Sequence, residues 1–384
     1  MKKLIGGLSL FFSGFTFAAV PTEAQLVALA KRVMFEQKDI SSIELYNMYG
    51  KNHPKMAILP ISGTSWKPVM EQMPEGYIKS IAGNFNSRAD SADLIESIDA
   101  RYKTAKFETA NTIVTRSNGY TFCLVDDGLR QEFEHNAGFL RIYFAGILPV
   151  YFEREDVFLF MRHHEASHCL DPDDTDASDE QKFLSTMIHE ATADLTATLV
   201  YANRYGDFDL FFKAIRPMRM ANSMDVEHTT EDIVEHMIAG LTPADLYGVD
   251  FSKIMKIRAD LISRFETKEY LEIMIKNAYE KQAVSLYLKK RIEKNGQYQS
   301  PDVSRMLDRN TDILNKLVTR EIYNSIDMDQ RYDAMVNSSV DNLRKYRDKV
   351  DMGSAELKDF GRLVGVIGLK LRPKTISRVQ NLYK

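Results

Sequence analysis

The last third of the chain contains few of the residues that interrupt helices. After residue 251, apolar and polar side chains recur with helical spacing, and prolines and glycines are rare. This pattern predicts a series of helices over residues 252–264, 267–294, 302–324, 327–349 and 355–370. Any sheet in this protein is therefore expected to come from the earlier part of the chain.

Charge changes sign along the chain. Residues 20–250 carry 36 acidic and 21 basic side chains, whereas residues 251–384 carry 18 acidic and 27 basic ones. This asymmetry predicts a domain boundary near residues 248–251. The basic residues are interleaved with acids and the net charge of the whole chain is −4, so we expect no nucleic-acid partner.

The N-terminus has the pattern of a secretory signal peptide. Two lysines are followed by an apolar run over residues 4–17 and by two alanines at 18–19. The run is shorter than the roughly 20 residues that a membrane-spanning helix needs. We therefore predict an exported protein, periplasmic or secreted, with no transmembrane segment once the signal peptide is removed.

Strand patterns occur before residue 153. Residues 119–125, 139–144 and 147–152 have the composition of short strands, and residues 183–205 predict a strong helix that ends at Gly206. We predict a mostly helical α+β fold with a small sheet from 119–152. The predicted organisation is a signal peptide (1–19), an N-terminal region (20–115), a central domain (116–250) and a helical C-terminal domain (251–384).

The sequence His-Glu-Ala-Ser-His at residues 164–168 is an HExxH motif. On a helix, His164 and His168 lie one turn apart on one face, so that both imidazoles can bind the same metal ion. Glu165 would face the open coordination position and accept a proton from a water that Zn²⁺ makes acidic. Apolar residues 158–161 precede the motif and indicate a buried helix, in which unpaired imidazoles would be costly.

A catalytic zinc site of this type needs a third ligand, and the best candidate, Glu190, lies 22 residues after His168. Glu190 and Asp194 share a face of the predicted helix 183–205, among small and apolar neighbours. Glu190 can bind the metal. Asp194 can accept the Nδ1 proton of a ligand histidine, which we expect to be His164, and so orient the ring.

HExxH followed by Glu-x-x-x-Asp on a second helix resembles the gluzincin branch of zinc metallopeptidases, the thermolysin-like enzymes. The resemblance covers about residues 150–205 and implies that the central domain (116–250) is a zincin-like catalytic domain. It implies His164, His168 and Glu190 as zinc ligands, Glu165 as the catalytic base and Asp194 as the orienting residue. His189 departs from it, because the thermolysin-like motif has asparagine there. Such enzymes carry a later histidine or tyrosine that stabilises the oxyanion, and His228 and His236 are the candidates.

A second ligand scheme competes with Glu190. In the metzincin pattern the third ligand falls six residues after the second histidine, which is Asp174 in this chain. Asp171 stands where that pattern has glycine, and aspartate adopts the left-handed conformation less readily than glycine does. We therefore favour Glu190.

Two functions remain open at this point. The first is an exported zinc-dependent metallopeptidase that hydrolyses a protein or peptide substrate. The second is an exported helical binding protein with a structural or inactive zinc site, which would recruit a fourth ligand such as His163 or His189. Glu165 at the base position favours the enzyme. The two cysteines, Cys123 and Cys169, could pair in an oxidising compartment, but the sequence leaves this open.

Overall fold

The structure of this chain is a computed structural model, which describes part of its residues. The predicted signal peptide, the strand segments 139–144 and 147–152, the helix segment 355–370 and Asp174 lie outside the described part. The described residues are 48–49, 56–61, 111–117, 120–126, 157–170, 177–221, 226–265, 267–294, 301–335 and 337–338.

Helices form most of the described chain, and we number them in chain order. A π-helical turn, Phe211–Ile215, leads directly into the third of them. The helices are α1 (Val157–His168), α2 (Asp179–Tyr205), α3 (Arg216–Ala221), α4 (Glu231–Ile238), α5 (Pro243–Leu246), α6 (Phe251–Ile262), α7 (Lys268–Lys294), α8 (Pro301–Leu317), α9 (Arg320–Asn324) and α10 (328–335).

Helix α2 is the central element. Ser178 caps its N-terminus in a reciprocal capping box with Gln181, and Gly206 ends it in the left-handed conformation with a φ of 74°. Every residue from 190 to 202 is buried, because α2 packs against α1, α4, α5, α6 and α8. A helix that is enclosed in this way can carry a buried polar site in the middle of the protein.

The main hydrophobic core is built by helices and their connections. It runs from Leu159 on α1 through Leu195 and Leu199 on α2 to Ile254 on α6 and Leu314 on α8. No residue of the described strands belongs to it. The same cluster includes residues on both sides of position 250, where the change in charge predicts a domain boundary.

Three short strands lie against one end of α1. They are β1 (Met56–Ile61), β2 (Asn111–Ser117) and β3 (Tyr120–Asp126). β3 is the middle strand, parallel to β1 and antiparallel to β2, with Cys123 opposite Ile58 and Val114. With Ala166 and Cys169, the strands form a small separate apolar cluster.

The predicted α+β fold class is wrong, because helices build the fold and its main core. The core explains the difference, since helix packs on helix throughout it and the three strands of six or seven residues do not form one of its layers. Short apolar runs such as those before residue 153 do not distinguish a layer of the fold from a peripheral strand.

Cys123 and Cys169 form a disulfide, which the sequence left open. Their Cα atoms are 5.9 Å apart, and the bond joins β3 to the residue that follows His168. It therefore fastens the end of α1 to the strands. No helix of the described chain combines the length and the apolar character that a bilayer crossing requires.

Replacing both cysteines by serine is expected to lower the free energy of unfolding by roughly 2–4 kcal/mol. The physical reason is that the cross-link joins residues 46 positions apart and so restricts the unfolded chain. Urea denaturation measures the change, and wild-type protein kept in a strong reductant should unfold at the same midpoint as the double variant. Equal midpoints for oxidised wild type and the variant would contradict this role.

Candidate metal centre

The two histidines of the HExxH motif face each other across one turn of α1. His164 Nε2 lies 3.3 Å from His168 Nε2, and the ring planes are inclined by 84°. His164 is buried and His168 is partly exposed. The two Nε2 atoms could therefore bind a common metal ion, and the partial exposure of His168 places this position near the surface.

Glu190 on α2 completes this group. Its Oε2 lies 3.2 Å from His164 Nε2, and its Oε1 lies 3.6 Å from His168 Nε2. Two ligands on a tetrahedral zinc ion lie about 3.3 Å apart, given metal–nitrogen bonds of about 2.0–2.1 Å. The three groups thus have the mutual spacing of ligands to a common small cation.

The hydrogen bonding of Glu190 also indicates a site for a cation. Its Oε2 atom is buried and accepts no hydrogen bond of acceptable geometry within the described residues, although two imidazole nitrogens are close to it. A buried carboxylate oxygen is costly without a partner. A cation between Glu190 and the imidazoles would satisfy it, so the residues present fit a metal ion.

Burial and charge act in opposite directions on these groups. Burial by itself raises the pKa of Glu190, but the imidazoles of His228 and His168 outweigh it and hold that pKa well below its usual value. Burial by itself lowers the pKa of His164, whereas its hydrogen bond to Asp194 and the charges of Asp194 and Glu190 raise it to about 9. A metal ion that binds here has to displace a proton from His164.

Asp194 orients the ring of His164 through Nδ1, the nitrogen that does not face Glu190. It is fully buried one turn after Glu190, and its Oδ1 accepts the Nδ1 proton of His164 at 2.8 Å. This bond leaves Nε2 of the ring directed at Glu190. Burial alone would raise the pKa of Asp194, but the nearby Arg219 charge and the His164 hydrogen bond hold it well below its usual value.

His228 is the fourth group at the site. It lies in the turn before α4, its Nε2 is 2.8 Å from Glu190 Oε2, and its ring stacks on that of His164 at 6.5 Å between centroids. Ligand atoms of His164, Glu190 and His228 all lie within 4.8 Å of one another. The structure therefore brings His228 to the centre.

His236, the other candidate for oxyanion stabilisation, is not brought to the centre. It is exposed near the end of α4, where its ring lies against Tyr270 at 5.6 Å between centroids. In the described part of the chain, no hydrogen bond, ion pair or ring contact connects His236 to the four groups. His236 lies on the outer face of α4, away from the apolar face that contains the buried Ile233 and Met237.

Glu165 is held by the strands. It is buried, and the hydroxyl of Thr112 on β2 lies 2.8 Å from its Oε2 and 2.7 Å from its backbone oxygen. A single hydroxyl thus ties both the side chain and the main chain of Glu165 to β2. Sequence spacing could not indicate Thr112, which lies 53 residues away.

The alternative ligands have other partners. His163 Nδ1 lies 3.0 Å from the Tyr49 hydroxyl, and burial, followed by the charges of Arg162 and Arg204, lowers the pKa of His163 to about 3. His189 lies 3.4 Å from Ser185 on its own helix. Neither histidine adds a ligand to the group around Glu190, and Asp174 is outside the described residues.

Two further residues hold Asp194, and the sequence did not single them out. Arg219 on α3 donates to both carboxylate oxygens, and Thr230 donates to Oδ2. A buried carboxylate on a packed helix indicates that a cation is near, but not which of the many arginines it is. Thr230 did carry a local signal, because a threonine before Glu231 and Asp232 is typical of a helix start.

No protein-family model, no curated protein and no solved structure matches this chain.

Proposed function

We propose that this protein is a zinc-dependent metallopeptidase. The observation that carries the proposal is the convergence of His164 Nε2, His168 Nε2 and the Glu190 carboxylate within 3.6 Å of one another, on two packed helices. Two imidazoles and one carboxylate form a ligand set of catalytic zinc sites, in which a fourth position stays open for water or substrate. The gluzincin-like arrangement of the two motifs supports the same assignment.

When bound, zinc would supply a Lewis acid that polarises a carbonyl group and makes water acidic enough to lose a proton near neutral pH. The chain contributes the remaining chemistry. Glu165, next to the ligand His164, is proposed to take the proton of the attacking water and to deliver it to the leaving nitrogen. Its hydrogen bond from Thr112 limits the positions that the carboxylate can adopt.

The strands favour an extended peptide as substrate. Among the described strands, β2 pairs only with β3, so its other edge has no strand partner there. That strand also carries Thr112, which contacts Glu165. A peptide that adds to the edge of a sheet is held by hydrogen bonds of its main chain, largely independent of its side chains. On β2, such a peptide would lie close to Thr112.

Export is part of the proposal. The Cys123–Cys169 disulfide lies directly after the ligand His168, and disulfides persist in oxidising compartments such as a periplasm or the extracellular space. The signal-peptide pattern at residues 1–19 supports the same location.

A second candidate function is a closed metal site without hydrolysis. The observation that favours it is His228, which lies 2.8 Å from Glu190 and could occupy the fourth position. A closed set of four protein ligands is typical of structural zinc. Glu165 argues against this function, because a structural site has no use for a buried carboxylate beside a ligand.

Removal of the metal separates these functions. Purified full-length protein is expected to contain one zinc ion per chain and to cleave an unfolded protein or a peptide mixture. A chelator should abolish cleavage, and added zinc should restore it. Mass spectrometry of the products and elemental analysis measure both properties. Zinc at full occupancy without any cleavage would favour the closed site, and absence of bound metal would contradict both functions.

A further inference from the structure

Asp194 belongs to a ring of buried polar groups that extends far beyond the proposed metal ligands. Asp194, Arg219, Thr230, Glu231 and Lys281 are each at most 5% exposed. Asp194 lies on α2, Arg219 on α3 and Lys281 on α7. Glu231 is the first residue of α4, and Thr230 directly precedes it, so four helices contribute to this ring. Charges are rarely buried to this extent unless they are paired.

The carboxylate of Asp194 is saturated with donors. Oδ1 accepts from His164 Nδ1 and from Arg219 Nη2, each at 2.8 Å. Oδ2 accepts from Arg219 Nε at 2.8 Å and from the hydroxyl of Thr230. A carboxylate has about four lone-pair sites, and all of them are used here. Rotation of the group would therefore break several hydrogen bonds together.

Arg219 supplies half of these bonds, in a geometry that only a guanidinium offers. Its two nitrogens meet the two oxygens of Asp194 in a fork, which fixes the plane of the carboxylate as well as its distance. The plane of Asp194 decides where Oδ1 lies relative to Nδ1 of His164. The direction of the opposite ring nitrogen, Nε2, follows from that.

Lys281 in turn fixes Arg219. Its ammonium group is fully buried on α7 and donates to the backbone oxygen of Arg219 at 2.7 Å. It also lies 4.0 Å from Glu231, which follows Thr230 in the chain and is paired with Arg331 at 2.9 Å. The ring closes through Thr230, since its hydroxyl returns to Asp194.

We propose that Arg219 is a positioning residue of the metal centre, which acts through Asp194 on His164 and is itself held in place by Lys281. This inference rests on the proposed metal site. It predicts that Arg219, which is not one of the proposed metal ligands, influences the affinity for zinc. Loss of such a supporting partner commonly lowers metal affinity 10- to 100-fold.

The test compares two arginines on the same helix. Arg219→Gln is expected to weaken Zn²⁺ binding about 10- to 100-fold. Arg216→Gln is the control, because Arg216 is half-exposed on α3 and pairs with Glu235 and Asp232 instead. Competition with a chromophoric chelator measures the affinity of the metal-free proteins, and the visible spectrum of bound Co²⁺ reports the ligand geometry. Equal affinity in Arg219→Gln and wild type would overturn the proposal.

A double-mutant cycle separates positioning from general stability. In an Asp194→Asn background, Arg219→Gln should cause no further loss of Zn²⁺ affinity, because its route to His164 is already broken. The same loss in both backgrounds would overturn the proposal. Should Arg219→Gln not fold, as judged by near-ultraviolet circular dichroism, Arg219→Lys replaces it in the same cycle. Lysine keeps the charge without the fork, so a smaller loss is expected in the wild-type background and none beside Asp194→Asn.

The result also distinguishes this inference from the proposed function. A wild-type chain that binds neither Zn²⁺ nor Co²⁺ overturns the metal site and the inference together. A wild-type chain that binds zinc with an Arg219→Gln variant of equal affinity overturns only the inference. Zinc binding that depends on Arg219 in a protein without peptidase activity supports the inference and contradicts the proposed function.

Discussion

Glu165→Gln is expected to abolish peptide hydrolysis and to leave zinc bound. The amide has nearly the shape of the carboxylate, and its oxygen can still accept the hydrogen bond from Thr112. The amide cannot accept a proton at neutral pH. Turnover should therefore fall by about 100- to 10,000-fold, the usual contribution of a positioned acid–base group. Initial rates on a fluorogenic peptide and zinc content per chain are the measurements.

Glu180→Gln is the matched control. Glu180 lies in the first turn of α2 and pairs with Lys316 at the surface, so its replacement should change neither rate nor metal content. Loss of zinc from Glu165→Gln would show that Glu165 is a ligand and would contradict its assignment as the base. An unchanged rate would contradict the catalytic assignment as a whole.

Glu190→Ala is expected to release the metal. Zinc in sites with four protein ligands is bound with about 10–16 kcal/mol, so one ligand contributes roughly 3–4 kcal/mol. Its loss should lower affinity about 100- to 1,000-fold. The metal-free variant should still fold, because the apolar core that α2 shares with its neighbouring helices does not include Glu190. Chelator competition and thermal denaturation of the metal-free protein test the two statements separately.

Asp174→Ala tests the competing ligand scheme in the same assay. It is expected to bind zinc as wild type does, because a packed helix such as α2 holds a ligand more accurately than a segment whose acidic residues and Pro172 predict a loop. Glu180→Ala controls for loss of a carboxylate on α2. If Asp174→Ala loses the metal and Glu190→Ala keeps it, the gluzincin-like assignment is wrong and the metzincin-like one replaces it.

Local patterns predicted several of the described helices. The periodicity over 183–205 corresponds to α2, and 267–294 corresponds to α7. One predicted helix, 302–324, is divided into α8 and α9. The division occurs at Thr319, whose hydroxyl accepts a hydrogen bond from the Ile322 amide and so starts a new helix. Such a cap competes with the continuous apolar pattern, which alone does not reveal it.

Contacts between residues far apart in the chain could not be predicted from the sequence. Spacing of four residues placed His164 beside His168 and Glu190 near Asp194, but no spacing connects Asp194 to Arg219 or Thr112 to Glu165. The parallel pairing of β1 with β3 joins segments more than 60 residues apart and depends on the whole fold. The strand patterns before residue 153 predicted a small sheet in an α+β fold, whereas the helices build the main core without strand residues.

The ring around Asp194 sets an order in which this protein can mature. Asp194 needs Arg219 and Thr230, Arg219 needs Lys281, and Glu231 needs Arg331, so each support is synthesised later than the group that it serves. A nascent chain that has passed the HExxH motif, but not yet α7 and α10, carries its candidate ligands without the contacts that orient them. Contacts between residues this distant carry a loop-closure cost and cannot form before the later segment has been synthesised. The proposed peptidase activity is therefore expected only in chains that are fully synthesised and folded.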